Sequence, residues 1–409
     1  MSNKINNFIE EKIDPLFSKG GKYDKLWSVY DSFHTFLFVP RHTAGRKGVQ
    51  VHDSVDSKRV IIMVILALIP AMLVGCWNVG LQHDLALGIN DGWFMQFLYG
   101  FGTFLPKVVV SYVVGLGIEM TIAACKREEV AEGFLATGLL IPMIVPVNTP
   151  LWMIAVATAF SVVFAKEIFG GTGMNIFNPA LITRAFLFFA YPKAMSGDAV
   201  FVRTGSWLNN SEALDGFTSA TPLANVAESF ATYNAEKPET LEKALSVFNP
   251  ETYCTMDAFL GVIPGSIAET STLAILIGAA LLLITKVASW RIMLSVFAGG
   301  ALMSAIISSA SPVAPTVAQQ LCLGGFAFGA VFMATDPVTG CRTNCGKYIY
   351  GLFIGVMAII IRMFNTGYPE GMMMAILLGN AVAPLIDYYV VEANINKRAK
   401  RVAASNKNN

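Results

Sequence analysis

The sequence predicts an all-α polytopic membrane protein, with about ten transmembrane helices arranged as two inverted five-helix repeats that contain broken helices. Three observations predict it. Of the 409 residues, 54% are hydrophobic and only 14% charged, where soluble domains carry about a quarter charged. Apolar runs approaching the roughly 20 residues needed to cross hydrocarbon recur along the chain. Lys and Arg crowd one set of short connections and are scarce in the other. A net charge of +1 offers no field for nucleic acid, so the expected surroundings are a lipid bilayer and no nucleic acid.

The elements follow in order. The start is polar and charged, without the features of a cleavable signal peptide. Residues 60–79 form the first apolar run, entered at Lys58-Arg59, and 104–125 the second, closed by Lys126-Arg127. A short run, 133–145, stops at Pro146. Residues 151–169 and 175–191 complete the first block, separated by Gly170-Gly171-Thr172-Gly173. A second block holds runs at 271–284, 292–309, 318–335, 348–364 and 371–390. Basic residues precede the first run, follow the second, lie between the sixth and seventh, follow the eighth and close the chain. With both termini cytoplasmic, all of these fall on one side. The chain then divides into a cytoplasmic N-terminal extension (1–58), a first membrane repeat (59–191), an extracytoplasmic loop (192–270), a second repeat (271–391) and a cytoplasmic tail (392–409).

The two blocks read as diverged copies. Gly133-Phe134 opens the short run ending at Pro146, and Gly325-Phe326 opens one ending at Pro337. An apolar helix follows in each, then a break (170–173 and 365–369), then a helix bearing Asn178-Pro179 in one copy and Asn380 with Pro384 in the other. Five helices is an odd number, so the copies have opposite topology. Inverted repeats with interrupted helices build a central site at mid-membrane.

Membrane spanning does not require the polar stretch Asp215-Gly216-Phe217-Thr218-Ser219-Ala220-Thr221. Asp-Gly suits a tight turn, and the small residues after it leave the Thr221 hydroxyl accessible to a modifying enzyme. The plainer alternative is a loop turn ending at a helix N-cap. This stretch resembles the flavin-attachment motif of the membrane subunits of sodium-pumping and Rnf-type respiratory complexes, in which the last Thr carries FMN through a phosphoester. Ser219 stands where many of those relatives have Gly. The runs from Gly170 to Leu181, Ala334-Thr335-Asp336-Pro337-Val338-Thr339-Gly340 and Asp387 to Ile395 resemble the same family, and the extension before Arg59 fits the B subunit of the sodium-translocating NADH:quinone reductase better than its counterpart, the D subunit of Rnf complexes.

The resemblance implies a redox subunit of a bacterial inner-membrane complex. Electrons from the FMN of a neighbouring subunit reach the FMN on Thr221, pass to a non-covalent riboflavin and then to ubiquinone, while Na⁺ leaves the cell. The alternatives are the Rnf subunit, serving ferredoxin and NAD, and a cofactor-free inverted-repeat solute channel. Gly170–Gly173 lacks the spacing and preceding strand of a dinucleotide fingerprint, so hydride chemistry is left to a partner. Asn175 and Asn178, taken as one helical turn apart, are candidate hydrogen-bond partners of the riboflavin ring, against a plain capping role.

Ionisable residues inside apolar runs are functional candidates by default: Glu119, Lys166, Glu167, Arg184, Asp336, Arg362 and Asp387, with Glu132 at the start of a short run. Lys166 and Glu167 are expected to pair or snorkel. Asp336 is a candidate half-helix cap. The resemblance implies that Glu132 and Asp387 influence sodium uptake; a salt bridge to Arg184 or to basic loop residues is the structural alternative. The aromatic run 33–39 is read as a membrane anchor or a quinone contact. Cys341 and Cys345 lack the partners of a metal site, and Cys76, Cys125 and Cys322 read as packing residues.

Overall fold

The computed structural model describes residues 13–17, 21, 23, 26–37, 57–128, 130, 133–195, 200–205, 220–234, 240–365, 367 and 369–407. Every regular element among them is helical. Helix α1 (Trp27–Leu37) lies against α3, where Ser28 Oγ donates to Ala123 O at 3.4 Å. The first half then comprises α2 (Ser57–Leu87), α3 (Trp93–Lys126), α4 (Phe134–Ile144), α5 (Leu151–Ser161) and α6 (Pro179–Ala190). Helix α5 continues through a π turn, Val162–Lys166, and a 3₁₀ turn, Glu167–Phe169. Four helices follow among the described residues of the polar segment: a single turn, Pro192–Met195, then α7 (Pro222–Tyr233), α8 (Thr240–Val247) and α9 (Thr255–Leu260). The second half comprises α10 (Thr272–Ile284), α11 (Trp290–Ala310), α12 (Val317–Cys322), α13 (Phe326–Phe328) running into a π turn Gly329–Met333, α14 (Asn344–Phe364) and α15 (Met372–Lys407).

Among the described residues six helices are long and apolar enough to cross a membrane, and Phe134–Ile144, Pro179–Ala190 and Thr272–Ile284 are shorter apolar helices between them. The polytopic all-α reading therefore holds, with four adjustments. Helices α2 and α3 outrun the apolar cores read from sequence, reaching about 46 and 51 Å at 1.5 Å per residue. The early part of α3 escapes a hydropathy reading because Gln96, Thr103 and Lys107 lie on its buried face with Gly100, Ser111, Gly115 and Glu119, a polar stripe turned to the protein rather than the lipid. The expected span 318–335 is broken: α12 ends at Cys322, and Gly324 takes φ +60° before α13 begins. The span expected to start at Asn175 starts at Pro179, because Gly170, Gly171 and Gly173 all have positive φ and Pro179 occupies the first helical position.

The two halves share a packing device. Gly133 precedes α4 and Gly325 precedes α13, and the phenylalanine after each is buried. Phe134 fills the space over Gly115 on α3, where a Cβ would sit 1.9 Å from its Cζ; Phe326 does the same over Gly300 on α11, at 2.4 Å. A buried cation approaches the same ring in each half, Lys166 Nζ of the π turn after α5 at 5.9 Å from Phe134 and Arg362 Cζ of α14 at 5.8 Å from Phe326. The copies diverge at the fifth helix: Asn178 caps α6, whereas Asn380 lies inside α15 and accepts from the Tyr350 hydroxyl at 2.8 Å.

Broken helices leave carbonyls that must be satisfied. Two buried cations do this. Arg362 donates from Nη1 to Gln320 O at 2.6 Å and from Nη2 to Leu323 O at 3.1 Å, closing the end of α12. Lys107 Nζ donates to Pro146 O at 2.7 Å and Val147 O at 2.6 Å, just beyond the end of α4.

Candidate functional site

Among the described residues, two of the cavities lie at opposite ends of the bundle. The larger, about 960 Å³ with its open mouth included, is walled by the starts of α2 and α4, the end of α5 and the segments that precede α6 and follow α10 and the second π turn. Its polar lining is Thr137, Lys166, Thr172, Asn175, Asn178, Thr335 and Asp336, set among apolar side chains such as Val64, Leu140, Leu282 and Phe332. A few polar groups set in an apolar cleft suit a planar organic ligand.

Asn175 and Asn178 both line this cavity, but from an irregular turn rather than one helical face. Asn175 Oδ1 accepts from Gly173 N at 3.3 Å and its Nδ2 donates to Phe177 O at 3.0 Å. Asn178 Oδ1 accepts from Ala180 N at 3.0 Å, the N-cap bond of α6, and its Nδ2 donates to Asp336 Oδ2 at 3.2 Å. Asp336 holds its own turn by accepting from Val338 N at 3.0 Å and Thr339 Oγ1 at 3.1 Å. Lys166 pairs with Glu119, and Glu167 with Lys126 at 3.7 Å.

The smaller cavity, about 360 Å³, lies at the other end, walled by Thr221 to Leu223, the approach to α10, the break after α12 and the approach to α15. Thr221 is the N-cap of α7, its Oγ1 accepting from Ala224 N at 3.3 Å, and it remains partly exposed. The hydroxyl therefore stands at the positive end of a 12-residue helix, where a phosphate is favoured. Ala220 is described; Asp215, Gly216 and Ser219 lie outside the described residues, as does Glu132.

Beneath Thr221 sits a charged cluster that sequence reading did not assemble. Arg184, 1% exposed, pairs with Glu370 and lies 3.8 Å from Glu269. Burial pushes the Glu269 carboxyl above the usual carboxylate range against the pull of Arg184. Arg184 is thus engaged by loop carboxylates, not by Asp387. Asp387 accepts from Arg342 N at 2.7 Å, Thr343 N at 3.1 Å and Thr343 Oγ1 at 2.5 Å, tying α15 to the loop before α14. Among the described residues no group of three or more His, Cys, Asp or Glu could hold a metal. The six cysteines are free, with Cys341 buried and Cys345 exposed. The backbone of 33–37 belongs to α1, while 38–39 lie outside the described residues.

Sequence reading also missed Lys107, whose signal was a lone lysine in the middle of an apolar run. Glu269 and Glu370 carried no signal, because they lie in loops 85 and 186 residues from Arg184 in the chain, and only the fold brings them together.

The model of the NQR2, RnfD, RnfE family matches residues 45–396. The chain is 43% identical over 420 residues to the B subunit of the Na(+)-translocating NADH-quinone reductase of Chromohalobacter salexigens, covering 96% of each chain. It is 43% identical over 419 residues to the protein of that name from Ectopseudomonas mendocina, covering 96% and 98%. To that from Neisseria meningitidis serogroup A it is 42% identical over 427 residues, covering 97% and 99%.

Proposed function

The chain belongs to the NQR2, RnfD, RnfE family, and from that premise we propose that it is the membrane-embedded redox subunit of a Na⁺-translocating NADH:quinone reductase in a bacterial inner membrane, with both termini cytoplasmic. The observation that carries the reading is the pair of cavities: one beside an accessible threonine at a helix N-terminus, the other polar-lined at the opposite end of the bundle.

In this reading Thr221 holds FMN through a phosphoester, and the larger cavity seats riboflavin. The two flavins supply one-electron transfer between the FMN-bearing neighbouring subunit and ubiquinone. The chain's own residues bind and orient. The start of α7 offers its free amides and dipole to the phosphate on Thr221. Asn178 and Asp336 clamp the cavity from the two halves, while Val64, Leu140 and Phe332 keep water from its apolar walls. Arg184 balances the acidic groups beneath Thr221. Asp387 and Glu132 are assigned to sodium uptake. Exporting one charge costs about 2.3 kcal/mol per 100 mV, which electron transfer to quinone must supply.

The test is a denaturing gel of the purified subunit under ultraviolet light. A fluorescent band that goes dark in Thr221→Val supports the reading, and a mutant band that still glows rejects the attachment site. Co-purification with quinone reductase activity separates this role from that of an Rnf subunit.

A further inference from the structure

The ion pair between Lys166 and Glu119 sits in a wall between two cavities. Lys166 lines the large inner cavity; Glu119 lines a second cavity of about 450 Å³ at the same end of the bundle, whose mouth carries Lys126, Glu128 and Glu167. Thr172 borders both. The side chains of Lys166 and Glu119 are 4% and 3% exposed, and Glu119 Oε1 meets Lys166 Nζ. Glu119 Oε2 is buried with no hydrogen-bond partner among the described residues.

As a purely structural pair this arrangement is poor. Burying two charges costs several kcal/mol each, well-packed apolar residues commonly do as well, and a bare carboxylate oxygen adds a further penalty. The same features suit transfer. Glu119 borders the outer vestibule, one of its oxygens touches the Lys166 amine, and Lys166 borders the inner cavity.

We propose that Glu119 and Lys166 form a proton relay joining the vestibule to the inner cavity, supplying the proton taken up when a redox ring bound there is reduced. This rests on the reading that the inner cavity is the riboflavin seat. Each turn brings one electron from the flavin of the complex and one proton through the relay. An N–H bond of the Lys166 ammonium breaks as a ring nitrogen gains one, leaving a neutral amine. The Glu119 carboxylate takes up a solvent proton, which reaches the vestibule as hydronium and leaves a water there, and passes it to that amine, restoring the ion pair. One negative and one positive charge enter together, so the buried region keeps its net charge, which a low-dielectric interior favours.

The experiment uses the whole reductase complex, purified with Glu119→Gln, Lys166→Arg or Ala136→Trp in this chain. Arginine keeps the charge and the pairing but does not release a proton. For both relay variants we expect riboflavin content to be unchanged and the bleaching of flavin absorbance on reduction to slow at least tenfold. In time-resolved infrared spectra a transient, deuterium-sensitive carboxyl band should accompany reduction of the wild-type complex and be missing from Glu119→Gln. Should Glu119→Gln fail to assemble, Lys166→Arg decides alone. Wild-type bleaching rates in Lys166→Arg, or the carboxyl band surviving in Glu119→Gln, overturn the relay while leaving the seat intact. Ala136 lines the inner cavity, so Ala136→Trp should expel riboflavin; full retention there overturns the seat and the relay with it.

Discussion

Asn178 and Asp336, 158 positions apart in sequence, meet across the seam of the two halves, Asn178 Nδ2 donating to Asp336 Oδ2 at 3.2 Å. Each also holds its own segment, Asn178 by capping α6 and Asp336 by closing the turn after the second π turn. The bond therefore sets the width of the large cavity. A hydrogen bond to a charged partner contributes about 1.5–3 kcal/mol. Asn178→Leu should lower non-covalent riboflavin by roughly ten- to a hundredfold in affinity, read by chromatography of the extracted flavin. Undiminished riboflavin would remove Asn178 from the seat.

Thr221 caps α7, and in the proposed reading it is also the attachment point, so the two roles are separable. Asn is as good an N-cap as Thr but forms no phosphoester. Thr221→Asn should lose gel fluorescence while keeping thermal stability. Thr221→Val should lose both, at about 0.5–2 kcal/mol for the cap. Equal stability of the two variants would mean that the Ala224 N bond contributes little.

The aromatic-over-glycine contact in each half predicts matched damage. Gly115→Ala and Gly300→Ala place a methyl group inside the Phe134 and Phe326 rings, which forces repacking at about 1–3 kcal/mol. Both should lower the unfolding temperature of the purified complex. Phe134→Leu should restore part of the loss in the first case and none in the second. Rescue of both by the one change would refute independent packing.

Arg184 neutralises two carboxylates in a nearly closed space. Removing one member of such a cluster costs about 3–5 kcal/mol, because a charge is left buried and unpaired. Arg184→Met should therefore assemble poorly. Adding Glu269→Gln should recover part of the yield, and a double variant no better than the single would place the defect elsewhere.

Asp387 offers a sharper sodium test than alanine alone. Its carboxylate anchors Arg342 N and Thr343. Asparagine keeps an acceptor for that anchor and removes the charge. If the charge itself serves sodium uptake, Asp387→Asn and Asp387→Ala should weaken sodium stimulation equally, with flavin content preserved. Sodium stimulation surviving in Asp387→Asn would assign the residue to anchoring.

The long spans were legible because lipid demands apolar length, and runs such as 151–169 supply it. That Thr221 would end a turn at a helix N-cap was legible because the cue is local. What the sequence concealed depends on contacts between distant segments. The break at 323–325 lies within a nearly continuous apolar run and is marked only by two glycines, and its closure needs Arg362, some forty residues later. The inward polar stripe of α3 lowers hydropathy where the helix is in fact membrane-long. The shared cavity of Asn175 and Asn178 was correctly grouped from a wrong premise, since three positive-φ glycines, not helical periodicity, bring them together.

The π turns at Val162–Lys166 and Gly329–Met333 make helical register a variable of this protein. A π turn holds an extra residue, and one residue is about 100° of α-helical rotation. Deleting a single position within 162–165 would let the π turn close into an ordinary α turn, so Lys166 would keep its heading toward Glu119. The same edit within 329–333 would leave Thr335 and Asp336 facing as they do. These two turns are the places where the bundle can absorb the loss of one residue with its cavity walls intact.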